Sequence, residues 1–225
     1  MAAALSLDSV FLTLNSHAGP VEILKGVSFT AQAGEAIGII GPSGSGKTSL
    51  LMVASGLEAA TRGKVEAAGL DLTGKSESAL AQFRRDHVGI IFQSFHLIPT
   101  MTALENVAVP LEFKGVADAF ARAEAALKRV GLAHRLTHYP SQLSGGEQQR
   151  VAIARAVAAG ARILLADEPT GNLDQETGAA IIELLFELKN KDGATLLLVT
   201  HDRALAQTCN RILQVRDGLV TEGKP

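Results

Sequence analysis

The sequence predicts an α/β protein built on a parallel sheet with helices on both faces. Two observations carry this. Short apolar runs at Ala36–Ile40, Val88–Phe92, Ile163–Ala166 and Thr195–Thr200 alternate with stretches of helical character, the pattern of strand–helix–strand units. The first of these runs passes directly into a glycine-rich loop, Gly41-Pro-Ser-Gly-Ser-Gly-Lys-Thr48, and then a helix. The 225 residues are 47% hydrophobic and 20% charged. That is enough for one large domain or two small ones that share a core, and it excludes a disordered or fibrous chain.

The elements follow in chain order. Leu5 and Leu7, then Val10, Leu12 and Leu14, form two broken alternations, as in half-buried strands. Gly19-Pro20 marks a turn, and Ile23–Thr30 reads as the next strand. After the glycine loop come a helix at Ser49–Ser55 and one or two edge strands within Lys64–Leu72, around Gly69. The middle third is helix-rich. Ser76–His87 has a Ser cap with Leu80 and Phe83 at helical spacing, and the Ala-rich Ala117–Val130 ends at Gly131. The last third alternates helix Ser144–Ala159, strand Ile163–Ala166, helix Thr177–Asn190 and strand Thr195–Thr200. A hairpin closes the chain, with Asp217-Gly218 between Ile212–Val215 and Leu219–Thr221.

Composition removes several function classes. A formal net charge of -2 gives no basic excess for nucleic acid. One cysteine, Cys209, excludes a disulfide framework and a thiolate zinc site, and suits a cytosolic protein. No stretch approaches the roughly 20 uncharged apolar residues of a membrane span. Met1–Val10 has no basic segment and contains Asp8, so it does not read as a secretory signal. Work at a membrane therefore requires another chain to supply the span.

Gly41–Thr48 fits the phosphate-loop pattern G-x-x-x-x-G-K-[ST]. Its glycines let several backbone N–H groups point at phosphate oxygens, and the following helix adds its positive end. Gly41, Pro42, Ser43, Gly44, Ser45, Gly46, Lys47, Thr48 and Ser49 make up the expected phosphate site. Lys47 bridges the β- and γ-phosphates, and Thr48 offers its hydroxyl to magnesium. Ile163-Leu-Leu-Ala-Asp167-Glu168 is a buried strand ending in two carboxylates, at the strand end where ligands sit in open α/β sheets. Asp167 is the expected magnesium partner. Glu168 is positioned to orient or deprotonate the attacking water. His201 follows the last buried strand at the same kind of end. His17, His87, His96, His134 and His138 show no metal-like spacing.

Leu143-Ser-Gly-Gly-Glu-Gln-Gln-Arg150 is the most informative stretch. Ser144 and Glu147 form a capping box that starts a helix, with Val151, Ala154 and Val157 toward the core. Gly145 and Gly146 are poor helix formers in that first turn. They provide close backbone approach and exposed N–H groups at a second positive helix end.

With this stretch the chain resembles the ATP-binding-cassette (ABC) ATPases. Gln93 in Ile-Ile-Phe-Gln-Ser-Phe, the turn Pro169-Thr-Gly-Asn-Leu-Asp174, and His201 in Val-Thr-His-Asp match the same family in the same order. The resemblance covers essentially all of residues 1–225. It implies a P-loop NTPase fold: a RecA-like core, an antiparallel β subdomain, and a helical subdomain inserted at about 94–160. It also implies ATP and Mg2+ as ligands and a head-to-tail dimer. There Ser144, Gly145, Gly146 and Glu147 of one copy meet the nucleotide held by the other copy's Lys47. Gln93 senses magnesium and water, His201 contacts the γ-phosphate and holds Glu168 in register, and Asn172 and Asp174 cross to the second copy. The presence of Lys47, Asp167, Glu168 and His201 argues against a regulatory module that binds ATP without hydrolysing it. One compact, slightly acidic cassette argues against a soluble member acting on nucleic acid.

The stretches Phe92–Pro99, Thr102–Val107 and Ala166–Asp174 resemble the MacB/LolD group. That resemblance implies a separate membrane permease with a large extracytoplasmic domain, and lipid or lipoprotein extraction or mechanical transmission. It also implies a place on the cytoplasmic face of the inner membrane. The apolar cluster Phe95, His96, Leu97, Ile98 and Met101 fits either a docking groove for that permease or packing between lobes. One departure stands out. The family's adenine-stacking aromatic falls at about Leu14, which has no π face, and Phe11 reaches the place only with a register shift. Adenine is then held by apolar contact, with weak base discrimination.

Overall fold

The computed structural model describes residues 3–16 and 19–223. His17 lies outside them. The chain forms two units, Met1–Arg84 with Gly193–Pro225, and Arg85–Asp192.

In the first unit, β1 (Ala3–Ser16) pairs antiparallel with β2 (Gly19–Gln32) and with β4 (Arg62–Ala67), which pairs in turn with β5 (Leu70–Asp71). The break in the apolar alternation has a physical cause. The register of β1 shifts between Leu7 and Val10, and Ser9 there has φ 51°. This β-bulge restores Val10 and Leu12 to the buried face. Gly19 and Pro20 do not form a separate turn. They begin β2, opposite Ser16 and Asn15, and β2 is the edge strand, where a residue without an N–H is tolerated.

The same unit holds β3 (Ala36–Ile40), which runs parallel to β8 (Thr195–Val199) and to β9 (Arg211–Arg216). All of β8 and four of the five β3 residues are buried, as expected of parallel strands covered on both faces. The hairpin from β9 to β10 (Leu219–Gly223) turns on Asp217 and Gly218, both with positive φ, the dipeptide turn that a twisted antiparallel ribbon favours. Helices α1 (Lys47–Ala54), α2 (Glu77–His87) and α7 (Arg203–Ala206) complete this part of the chain. The four-residue α7, capped by Asp202, is an addition to the elements that the sequence predicts.

In the second unit, β6 (Val88–Phe92) and β7 (Ile163–Asp167) pair in parallel. Between them lie α3 (Ala103–Phe113), α4 (Ala119–Arg129) and α5 (Gly145–Ala158), each packed on the other two, and α6 (Gln175–Asp192) follows β7. Helix α3 is an addition to the sequence-based elements. α5 is buried more widely than one stripe, since Ala152 and Ile153 join Val151, Ala154 and Val157 inside. No helix among the described residues is long and apolar enough to cross a membrane.

Candidate functional site

In the first unit the site is built at the carboxyl end of β3. Gly41 is packed so tightly that a Cβ there would come within 2.1 Å of the Val215 carbonyl on β9. Gly46, at φ 105°, is the N-cap of α1 and offers no side chain to cap it. The first-turn N–H groups of α1 are therefore left to whatever the loop encloses. Lys47 is only 8% exposed. Its Nζ donates to the carbonyls of Gly41 and Pro42, both at 3.0 Å, so the ammonium is held over the mouth of the loop. Ser45 Oγ is buried with no hydrogen-bond partner. A buried hydroxyl, a buried ammonium and uncapped N–H groups converge on one loop, and this donor set fits a polyphosphate. Thr48 is exposed at the start of α1.

His201 leaves the adjacent strand. Ile39 of β3 lies opposite Val199 of β8 in parallel register, and the Thr200 N–H donates to the Ile39 carbonyl at 3.1 Å. Gly41 and His201 each stand two residues past that paired position, so both depart from the same end of the sheet. Asp202 fixes the turn after His201 by accepting from the N–H groups of Ala204 and Leu205 at 2.8 and 3.2 Å.

In the second unit Phe92 lies opposite Asp167, so Gln93 and Glu168 leave β6 and β7 at one end. Glu168 has φ 45°, a left-handed backbone that costs a non-glycine residue about 1–3 kcal/mol and recurs at functional sites. The turn after it is closed by the Gly171 N–H on the Glu168 carbonyl and the Leu173 N–H on the Thr170 carbonyl, both 3.0 Å. Asn172 Nδ2 donates to the Gln93 carbonyl at 3.0 Å. A Cβ on Gly171 would sit 2.6 Å from Gln93 Nε2. Gln93 is thus clasped by the turn that carries Asn172. Asp174 caps α6 by accepting from the Thr177 N–H at 2.9 Å, which lowers its carboxyl pKa.

The stretch Leu143–Arg150 forms the expected box. Ser144 Oγ accepts from the Glu147 N–H at 3.3 Å, and Glu147 Oε2 accepts from the Ser144 N–H at 2.8 Å. Arg135 Nε adds a bond to Glu147 Oε1 at 2.8 Å. The Ser144 N–H above all, with Arg135 behind it, holds the Glu147 carboxyl down to about 2 against the effect of burial. Gly146 has a packing reason of its own, for a Cβ there would meet Thr177 of α6 at 2.5 Å. Two participants escaped sequence reasoning. Arg155 on α5 donates to the carbonyls of Phe95 and His96 at 2.8 and 2.6 Å. Asn106 on α3 donates to the carbonyls of Ile98, Met101 and Thr102 and accepts from the Ile98 N–H. Neither residue belongs to a spacing pattern that marks it.

The ABC transporter family model matches residues 24–171, from the middle of β2 to the turn after Glu168. The chain belongs to the ABC transporter family. The ATP-binding protein YbbA of Escherichia coli K12 is 48% identical over 204 residues, 90% of each chain. The lipoprotein-releasing system ATP-binding protein LolD of Geobacter metallireducens is 48% identical over 202 residues, 89% of this chain and 90% of that one. The macrolide export ATP-binding/permease protein MacB of E. coli K12 is 44% identical over 207 residues, which are 91% of this chain and 32% of MacB. The ABC cassette MJ0796, solved as a dimer in a post-hydrolysis state with ADP and phosphate, superposes with a TM-score of 0.90 at 41% identity, covering 98% of both chains. The protein is accordingly an ABC ATPase, an ATP-hydrolysing subunit with the ABC cassette fold.

Among the described residues no group of three His, Cys, Asp or Glu side chains forms a metal cage. An ABC ATPase needs none, because magnesium is commonly held by one or two protein oxygens with phosphate oxygens completing the shell.

Proposed function

We propose that this chain energises a separate membrane permease by closing as a dimer of two copies around two ATP molecules. The observation that carries it is the phosphate loop, where α1 lacks a side-chain cap while Lys47 is buried and Ser45 Oγ is buried with no hydrogen-bond partner. Gly41, Pro42, Ser43, Gly44, Ser45, Gly46, Lys47, Thr48 and Ser49 take the phosphates. Thr48, Gln93 and Asp167 hold Mg2+, which when bound neutralises phosphate charge. Glu168 orients the attacking water and accepts its proton, and His201 hydrogen-bonds the γ-phosphate. Ser144, Gly145, Gly146 and Glu147 complete the second copy's nucleotide site, with Asn172 and Asp174 crossing the interface. The dimeric MJ0796 cassette supports the two-copy reading. On this reading residues 1–225 are one ABC domain with a helical lobe at about 94–160.

The membrane partner is a permease with a large extracytoplasmic domain, and the work done is lipid or lipoprotein extraction or mechanical transmission. The cassette sits on the cytoplasmic face of the inner membrane. The likeness to LolD and MacB supports this. Glu168→Gln tests the core of the proposal. ATP binding is expected to persist, turnover to fall by about 10²–10⁴, and a stable ATP-dependent dimer to appear in light scattering. Wild-type turnover removes Glu168 as the base. A monomer at saturating ATP removes the shared site.

A further inference from the structure

Arg155 has no place in any motif, yet it is mostly buried, and burial lowers its pKa. Such a guanidinium needs hydrogen bonds for its fixed fork of donors. It finds them in the carbonyls of Phe95 and His96, at 2.8 and 2.6 Å. Those two residues are consecutive and both left-handed, φ 59° and 47°, a bend that non-glycine residues adopt only when something holds it. The bend begins two residues after Gln93. Its other supports are local: a Phe95 N–H bond to the Phe92 carbonyl at 3.3 Å, a His96 N–H bond to the Ser94 carbonyl at 2.6 Å and an edge contact of the Phe92 and His96 rings at 4.8 Å. None of these reaches α5. Arg155 does, and the Phe95 ring lies near the other end of α5, 3.9 Å from where a Gly145 Cβ would be.

We infer that Arg155 is a positioning residue for ATP hydrolysis: its fork holds the Phe95-His96 bend on α5, so that Gln93 and the Ser144 end of the helix move as one body. The inference rests on the reading of Gln93 given above. A helix is stiff over the roughly 15 Å from Gly145 to Arg155, so a displacement of its Ser144 end is passed to the bend, and from the bend to Gln93. Lysine at this position keeps the charge and loses the fork.

Three variants of the chain test this: Arg155→Lys, Gln93→Ala and the double variant. Arg155→Lys is expected to lower kcat about tenfold while KM for ATP stays within twofold. The double variant is expected to be no slower than Gln93→Ala, because both act through one group. Hydrogen exchange of the amides at 94–98 is expected to quicken in Arg155→Lys, with exchange in β3 unchanged. Multiplying kcat losses in the double variant, wild-type kcat in Arg155→Lys, or unchanged exchange at 94–98 would each overturn the inference. A loss of kcat that merely tracks a lower melting temperature makes Arg155 structural and overturns it too. If the wild-type chain itself fails to hydrolyse ATP, the proposed function falls, while the exchange measurement still decides whether Arg155 holds the bend.

Discussion

Two helix N-termini, at α1 and α5, look alike in sequence and differ in physics. Both are preceded by small residues, and both have glycine near the first turn. At α1 the N-cap is Gly46, no side chain caps the turn, and no acidic residue lies in it. At α5 the chain caps itself with Ser144 and Glu147, and Arg135 backs the carboxylate. A positive helix end that is already paired with a carboxylate has less to offer an external anion. On the proposed function the α1 end is therefore the primary phosphate site. On the same proposal the α5 end is a secondary one, whose Ser144 bond to Glu147, long at 3.3 Å, is the part that yields most readily.

The largest effect expected from this contrast is in Lys47→Ala. It removes the ammonium held at the loop by the Gly41 and Pro42 carbonyls, and hydrogen bonds to charged groups contribute about 1.5–3 kcal/mol each. ATP affinity measured by calorimetry should fall by about 10–100-fold. An unchanged affinity would break the contrast, since the helix end alone would then suffice. Next comes Glu147→Gln, which keeps the shape of the capping box and loses its charge. It is expected to cost about 1–2 kcal/mol of stability at neutral pH. The sign of the pH dependence follows from the shift of Glu147 from 4.5 to about 2. A carboxyl lowered in the folded state stabilises it above the unfolded value and ceases to do so as pH falls toward the folded one. Urea unfolding should show the wild-type margin over Glu147→Gln constant down to about pH 4.5 and shrinking below it. A margin that grows on acidification would refute the assigned cause.

What the sequence made legible is what is local. β3, the glycine loop and α1 are contiguous, the capping box spans four residues, and the closing hairpin announces itself in Asp217-Gly218. Helix α3 is equally local but does not stand out in the sequence, although Thr102 and Glu105 form the same kind of box as Ser144 and Glu147. Its apolar positions run nearly all round and it contains Pro110, so it lacks the polar face by which surface helices are recognised. The remaining surprises are distant. Arg155 serves carbonyls about 60 residues away, and Gly146 answers to Thr177. No spacing rule relates such pairs before the chain has folded.

A smaller effect separates the end of α5 from its middle. Gln149 is 0% exposed, and neither polar atom of its amide has a hydrogen-bond partner. An unsatisfied buried amide costs about 1–3 kcal/mol. Gln149→Met fills a similar volume without that cost, so the melting temperature should rise by about 2–4 °C for each kcal/mol gained. A fall would mean that the amide is satisfied after all, and that α5 is as fully paired in its middle as at its start.

The smallest effect concerns the base rather than the phosphates. Leu14 and Val21 lie opposite each other across β1 and β2, 39% and 45% exposed, and offer aliphatic surface where the family resemblance puts adenine. Phe11 is not available in their place. The Arg62 guanidinium covers its ring at 4.1 Å from the centroid, and a Cβ on Gly26 would meet the ring at 3.1 Å. Stacking a base on Phe11 would displace Arg62. Aliphatic contact depends on area and not on the donor and acceptor pattern of the base, so affinity should reside almost wholly in the phosphate loop. ATP and GTP titrations are expected to agree within about threefold, less than 0.7 kcal/mol. A strong preference for ATP that disappears in Phe11→Ala would show that Arg62 gives way, and that the α1 end shares its ligand with an aromatic platform.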